Sequence, residues 1–123
     1  MRDKDPLVQL RDMRRFALDA IELLGEVDSA SFAGEKMRFY AVTRAVELVG
    51  EAAAQVAREQ QALFPTIPWS LVIGTRHRLI HGYAEVDPAA LVLTVRNSLP
   101  ALIAAIDAIL GAGIVSLDPS DRG

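Results

Sequence analysis

Apolar residues recur every three to four positions along most of the chain and nowhere alternate strictly with polar ones, so the pattern predicts helices and no strand. Over 6–25, Leu7, Leu10, Met13, Ala17, Ile21 and Leu24 form one stripe, while Arg11, Asp12, Arg15 and Glu22 face outward. A turn at Asp28-Ser29-Ala30-Ser31 leads to a second helix over 34–62, rich in helix formers and ending before Pro65. Its apolar and small residues (Ala41, Val42, Ala45, Val46, Leu48, Val49, Ala52, Ala53 and Val56) occupy more than one face. A core on one side needs only one, so the second face is expected to meet a partner chain. A third helix begins at Pro68, which suits a first helical position, and stops at Gly82. The fourth opens with Asp87 as cap and Pro88 in its first turn, and carries Leu91, Val95, Leu99, Leu102, Ile106, Ile109 and Leu110 on one stripe. Pro100 is expected to kink it. The expected architecture is all-α, an antiparallel four-helix bundle forming one domain over 1–115, with a mobile polar tail over 116–123.

A chain of 123 residues can bury a core without disulfides or metals. It has no cysteine, which excludes thiolate zinc sites and cysteine nucleophiles and is compatible with a reducing cytoplasm, the expected location. The charged start, Met1 to Pro6, has no apolar core of a signal peptide. The longest apolar run, over 99–115, is broken by Pro100 and Asp107 and falls short of the ~20 residues of a membrane span, so no membrane partner is expected. A net charge of −3 argues against a broad non-specific nucleic-acid footprint, although a local arginine cluster can still set the potential of a cleft.

Such a cluster exists. Arg76-His77-Arg78-Leu79-Ile80-His81-Gly82-Tyr83 holds both histidines, two arginines and one of the two tyrosines. Arginine grips phosphate oxygens in a planar fork, histidine is suited to proton transfer near neutral pH, and tyrosine offers a hydroxyl or a stacking ring. These are the parts of phosphoryl chemistry on a nucleic acid. The plain alternative is a solvated charged helix end.

The octet resembles the signature of HepT-like ribonuclease toxins of the HEPN superfamily: Arg, a polar residue, three variable positions, His, one residue, Tyr. Here these are Arg76, His77, 78–80, His81, Gly82 and Tyr83. Ile67-Pro68-Trp69 is similar to that family's helix opening, and Glu47-Leu48-Val49-Gly50-Glu51-Ala52 to its Glu-x-x-Gly-Glu-Ala segment. Two positions depart from the pattern, His77 where Asn is common and Gly82 where Glu is common. The resemblance implies a helical bundle that works as a dimer with a composite site. It implies metal-independent RNA cleavage with no cofactor, as the toxin of a toxin–antitoxin pair. It also implies restraint by a separately encoded nucleotidyltransferase antitoxin that transfers an adenylyl group from ATP onto Tyr83.

Within that frame His81 is the candidate general acid or base and Arg76 the group that neutralises charge growing on the phosphate oxygens. His77 either orients and assists or merely solvates the helix, and Arg78 is placed to contact RNA backbone. At about 100° per residue, Arg76 lies ~20° from Tyr83 but ~140° from His81 around the third helix. One regular helix therefore does not present Arg76 and His81 to one phosphate. Either the helix ends loosely at Gly82, or two chains line one cleft. Glu47 and Glu51 at i, i+4 have no second acidic pair at metal spacing, so no metal site is expected there, and one of them is expected to pair with Arg76 or Arg44. Trp69, Phe16, Phe32, Phe39 and Tyr40 are expected in core or interface. Two other readings fit the same residues. One is a non-catalytic HEPN module that binds a nucleotidyltransferase or a nucleotide, and the other is a purely structural helical dimer.

Overall fold

The computed structural model describes residues 5–82 and 86–117, with side chains as far as Gly111. Every element among them is helical: α1 (Pro6–Leu24), α2 (Ser29–Ala33), α3 (Lys36–Ala54), α4 (Arg58–Gln61), α5 (Trp69–His81), α6 (Pro88–Leu93), a π-helical turn (Thr94–Ser98) and α7 (Leu99–Leu117). The long helices carry the bundle. α1 packs on α3 and α7, and α3 packs on α5.

Local sequence explains most helix starts. Asp5 accepts a hydrogen bond from the Leu7 amide at 2.9 Å and Pro6 occupies the first turn of α1; Asp87 accepts from Ala89 at 3.0 Å ahead of Pro88 in α6. α1 stops at Gly25, whose φ of 62° lies in the region that favours glycine. The expected turn at Asp28–Ser31 is instead the start of α2, because the Asp28 carboxylate caps the Ser31 amide at 2.7 Å. Backbone hydrogen bonding to Ser31 is also the main reason the Asp28 carboxyl titrates below its ordinary value.

The second helix is shorter than its pattern predicts. α3 ends at Ala54, the Gln55 and Val56 amides close tight turns onto Ala52 and Ala53, and α4 follows separately. Val56 turns inward and is buried, while Gln61 Nε2 donates to its carbonyl at 2.9 Å. Just before Pro100, where a kink is expected, the chain makes a π turn. Proline has no N–H to give the carbonyl four residues back, and the Leu99 amide reaches to the Thr94 carbonyl, five residues back.

Helix α6, the π turn and α7 run on as one continuous helical rod. The stretch Pro88–Gly111 is long and apolar enough to cross a membrane by length and composition, which corrects the expectation that this part of the chain falls short. Its Leu91, Val92, Val95, Leu99, Leu102 and Ile106 are the core-facing stripe of the bundle. They meet Leu10, Met13, Ala17, Leu24, Phe32, Val42, Val46 and Val49 in one core. The tail expected over 116–123 lies, past Leu117, outside the described residues.

The second apolar face of α3 also has an answer inside the chain. It is taken up by α5, so α3 sits between two helices of its own molecule. Exposed on α3 are Lys36, Met37 and Tyr40 in its first turns, with Arg44 and Ala54 further along.

Candidate functional site

Helix α5 positions the octet as far as Gly82. Pro68 precedes the helix instead of opening it, and Trp69 anchors its first turn: the indole is buried and Nε1 donates to the Phe64 carbonyl at 3.1 Å. The Gly82 amide closes the far end on the Arg78 carbonyl at 2.8 Å, with φ at −128°, so the stop does not use a left-handed glycine. Leu79 is buried and Val72 and Ile73 are half-buried, giving α5 an apolar side that lies on α3.

Arg76 lies on that side. A Cβ built on Gly50 of α3 would fall 2.3 Å from Arg76 Cβ, 3.3 Å from its Cα and 3.0 Å from the Val72 carbonyl. Only a residue without a side chain lets the two helices close here, so Gly50 fixes where the arginine stands. The Arg76 Nε is buried and has no hydrogen-bond partner among the described residues. The only other such buried side-chain atom described is the Thr43 Oγ1, seven residues before Gly50 on the same side of α3. Of the two glutamates expected to pair with Arg76 or Arg44, Glu47 pairs with Arg44 at 3.1 Å. A guanidinium with a buried, unpartnered donor carries a desolvation cost that an anion beside it would offset.

The histidines face away from the seam. His77 and His81, four residues apart, are exposed, with ring centres 4.4 Å apart. Both line an open cleft of about 500 Å³ between the end of α5 and the start of α6, whose walls include Arg78, Leu79, Val86, Asp87, Ala90 and Leu91. Arg76 is not among those walls. Arg78 is, but Nη2 donates to Thr75 Oγ1 at 3.1 Å, tying it back along its own helix. A second cleft of about 360 Å³, between α3, α5 and α7, is apolar apart from Arg78 and a few hydroxyls.

The structure thus brings His77, His81 and Arg78 to one cleft and sets Arg76 on another side of the same helix. Tyr83, the expected modification site, lies outside the described residues. No group of three or more histidine, aspartate or glutamate side chains converges to hold a metal ion among the described residues. Sequence reading missed the part played by Gly50, although a glycine among good helix formers was a visible sign of close backbone approach. It also missed Thr43, which carries no such sign.

The aromatic expectations hold for packing. Phe32 is fully buried against Phe39 at 5.5 Å, Phe16 is half-buried beneath the Arg15 guanidinium at 4.5 Å, and Trp69 is core. Tyr40 is the exposed member.

The profile of the family described as Ribonuclease HepT-like matches residues 13–109. A Methanocaldococcus jannaschii protein assigned by name as an RNase is 35% identical over 100 residues, covering 81% of this chain and 92% of that one. A Thermococcus cleftensis protein assigned as a ribonuclease HepT is 36% identical over 88 residues, covering 68% and 80%. A second RNase-named protein of the former organism is 30% identical over 100 residues, covering 81% and 86%. No solved structure gives a significant match.

Proposed function

Because the chain belongs to the Ribonuclease HepT-like family, within the HEPN superfamily, we propose that it is a metal-independent endoribonuclease whose working site is completed by a second copy. The observation that carries this reading is the orphaned Arg76 Nε at the α3–α5 seam, on the helix that presents His81 to the neighbouring cleft. Two chains related by a two-fold axis set the arginine of one beside the histidine of the other, which one straight helix does not do.

In the proposed reaction a base takes the proton of a ribose 2′-hydroxyl, the 2′-oxygen bonds to phosphorus, and the bond from phosphorus to the 5′-oxygen breaks as that oxygen is protonated. The products are a 2′,3′-cyclic phosphate and a 5′-hydroxyl. His81 serves as general acid or base, with His77 beside it to orient or assist. Arg76 donates to the non-bridging oxygens, whose charge grows in the transition state, so its stabilisation is greater there than in the ground state. Arg78 holds RNA backbone.

The same reading makes the chain the toxin of a pair. A nucleotidyltransferase antitoxin adenylylates Tyr83, placing phosphate charge two residues past His81, where it competes with RNA for the arginine. Incubating the purified chain with RNA in EDTA and identifying the new ends tests the chemistry. Cyclic phosphate ends are expected; cleavage that needs added magnesium overturns it.

A further inference from the structure

His77 and His81 do more than share a cleft. We propose that the two imidazoles form a binding site for a late first-row divalent cation such as Zn²⁺, and that the bound ion inhibits the proposed cleavage by occupying His81. Histidines four residues apart on one helical face are a known arrangement for gripping zinc, because one turn of helix stacks the two side chains over the same point. Two imidazoles bonded to one tetrahedral ion at about 2.1 Å have ring centres about 5.3 Å apart; the two rings stand 4.4 Å apart, so these exposed side chains need separate by only about 1 Å to reach that span.

The surroundings leave room for it. Both rings are exposed and line the open cleft of about 500 Å³, so water can fill the remaining positions of the ion, as in zinc sites that keep open coordination. Imidazole nitrogen is the donor that suits zinc, copper and nickel, whereas magnesium prefers oxygen and gains nothing here. Arg78 lines the same cleft, its Nη2 held by Thr75 Oγ1, and so does Asp87, one carboxylate oxygen of which caps Ala89. With two protein ligands and no third converging, the site is weaker than a structural zinc site and reversible, which suits inhibition more than scaffolding.

The binding half of this proposal rests on geometry alone, and the inhibitory half rests also on the ribonuclease reading. Isothermal titration of the metal-stripped wild-type chain with ZnCl₂, and separately with MgCl₂, tests the first. One Zn²⁺ per chain and no saturable Mg²⁺ binding are expected. His77→Ala and His81→Ala should each weaken Zn²⁺ binding by at least ~10-fold, the loss that removal of even a supporting partner of a ligand produces. Both residues are exposed, so circular dichroism should be unchanged. Absence of saturable Zn²⁺ binding, or binding that neither substitution weakens, overturns the site. For the second half, Zn²⁺ should suppress RNA cleavage over the concentration range in which it binds and EDTA should restore it. Cleavage undiminished at full occupancy overturns the inhibitory role while leaving the binding site standing.

Discussion

Gly50 and Arg76 stand so close across the α3–α5 seam that a methyl group on the glycine would lie 2.3 Å from the Cβ of the arginine. Neither atom can yield without moving a helix, because the second contact, at 3.0 Å, is the Val72 carbonyl. Gly50→Ala should therefore destabilise the fold by about 1–3 kcal/mol, as overpacking does, less the ~1 kcal/mol that alanine returns in helix propensity. Thermal denaturation reads the net loss. Cleavage should fall further than stability accounts for, since the substitution displaces Arg76.

Arg38 ties the end of α1 to the start of α3. Its Nη1 donates to the Leu23 and Leu24 carbonyls at 2.9 and 3.1 Å, and its Nε pairs with Glu35 at 2.7 Å. Hydrogen bonds from a charged donor to the last carbonyls of a helix contribute about 1.5–3 kcal/mol. Arg38→Ala should cost that much in a denaturant titration. Arg38→Lys should recover only part of it, having no fork to span both carbonyls and the glutamate.

Asp28 gives stability a pH dependence of known sign. Hydrogen bonding to Ser31 holds its carboxyl below the ordinary value of 3.8, so its contribution is present above that value and is lost as pH falls through the depressed one. Asp28→Ala should lower Tm at neutral pH and remove the cap of α2. The gap between variant and wild type should close on acidification below about pH 4, near the ordinary aspartate range; a gap that stays constant to pH 2 would contradict the role of the charged form.

The places where sequence and structure agree are those where one residue acts locally. Asp87 and Pro88 start α6, Gly82 ends α5, and the stripe of α1 is buried as its spacing implies. The end of α3 and the cover of its second face are set by tertiary contact. Nothing in Ala52-Ala53-Ala54-Gln55 stops a helix by propensity, and α3 ends there because Val56 turns into the core. The surplus apolar face of α3 was legible as a surface needing a cover, but not whether α5 or another chain supplies it. The site was legible as a motif and as an angular conflict between Arg76 and His81. That Arg76 is pinned on Gly50 with Nε unpartnered depends on how closely two helices approach, which no spacing reports.

In the proposed dimer, Arg76 of one chain and His81 of another serve one RNA phosphate. Arg76→Ala and His81→Ala homodimers should each lose about 10²- to 10⁴-fold in cleavage, with unchanged circular dichroism. A heterodimer of the two variants, purified through different affinity tags, would then hold one intact site and one doubly defective site. It should recover about half the wild-type rate per dimer, as two-fold symmetry requires. A heterodimer as inactive as either parent would contradict the shared site and place the chemistry within a single chain.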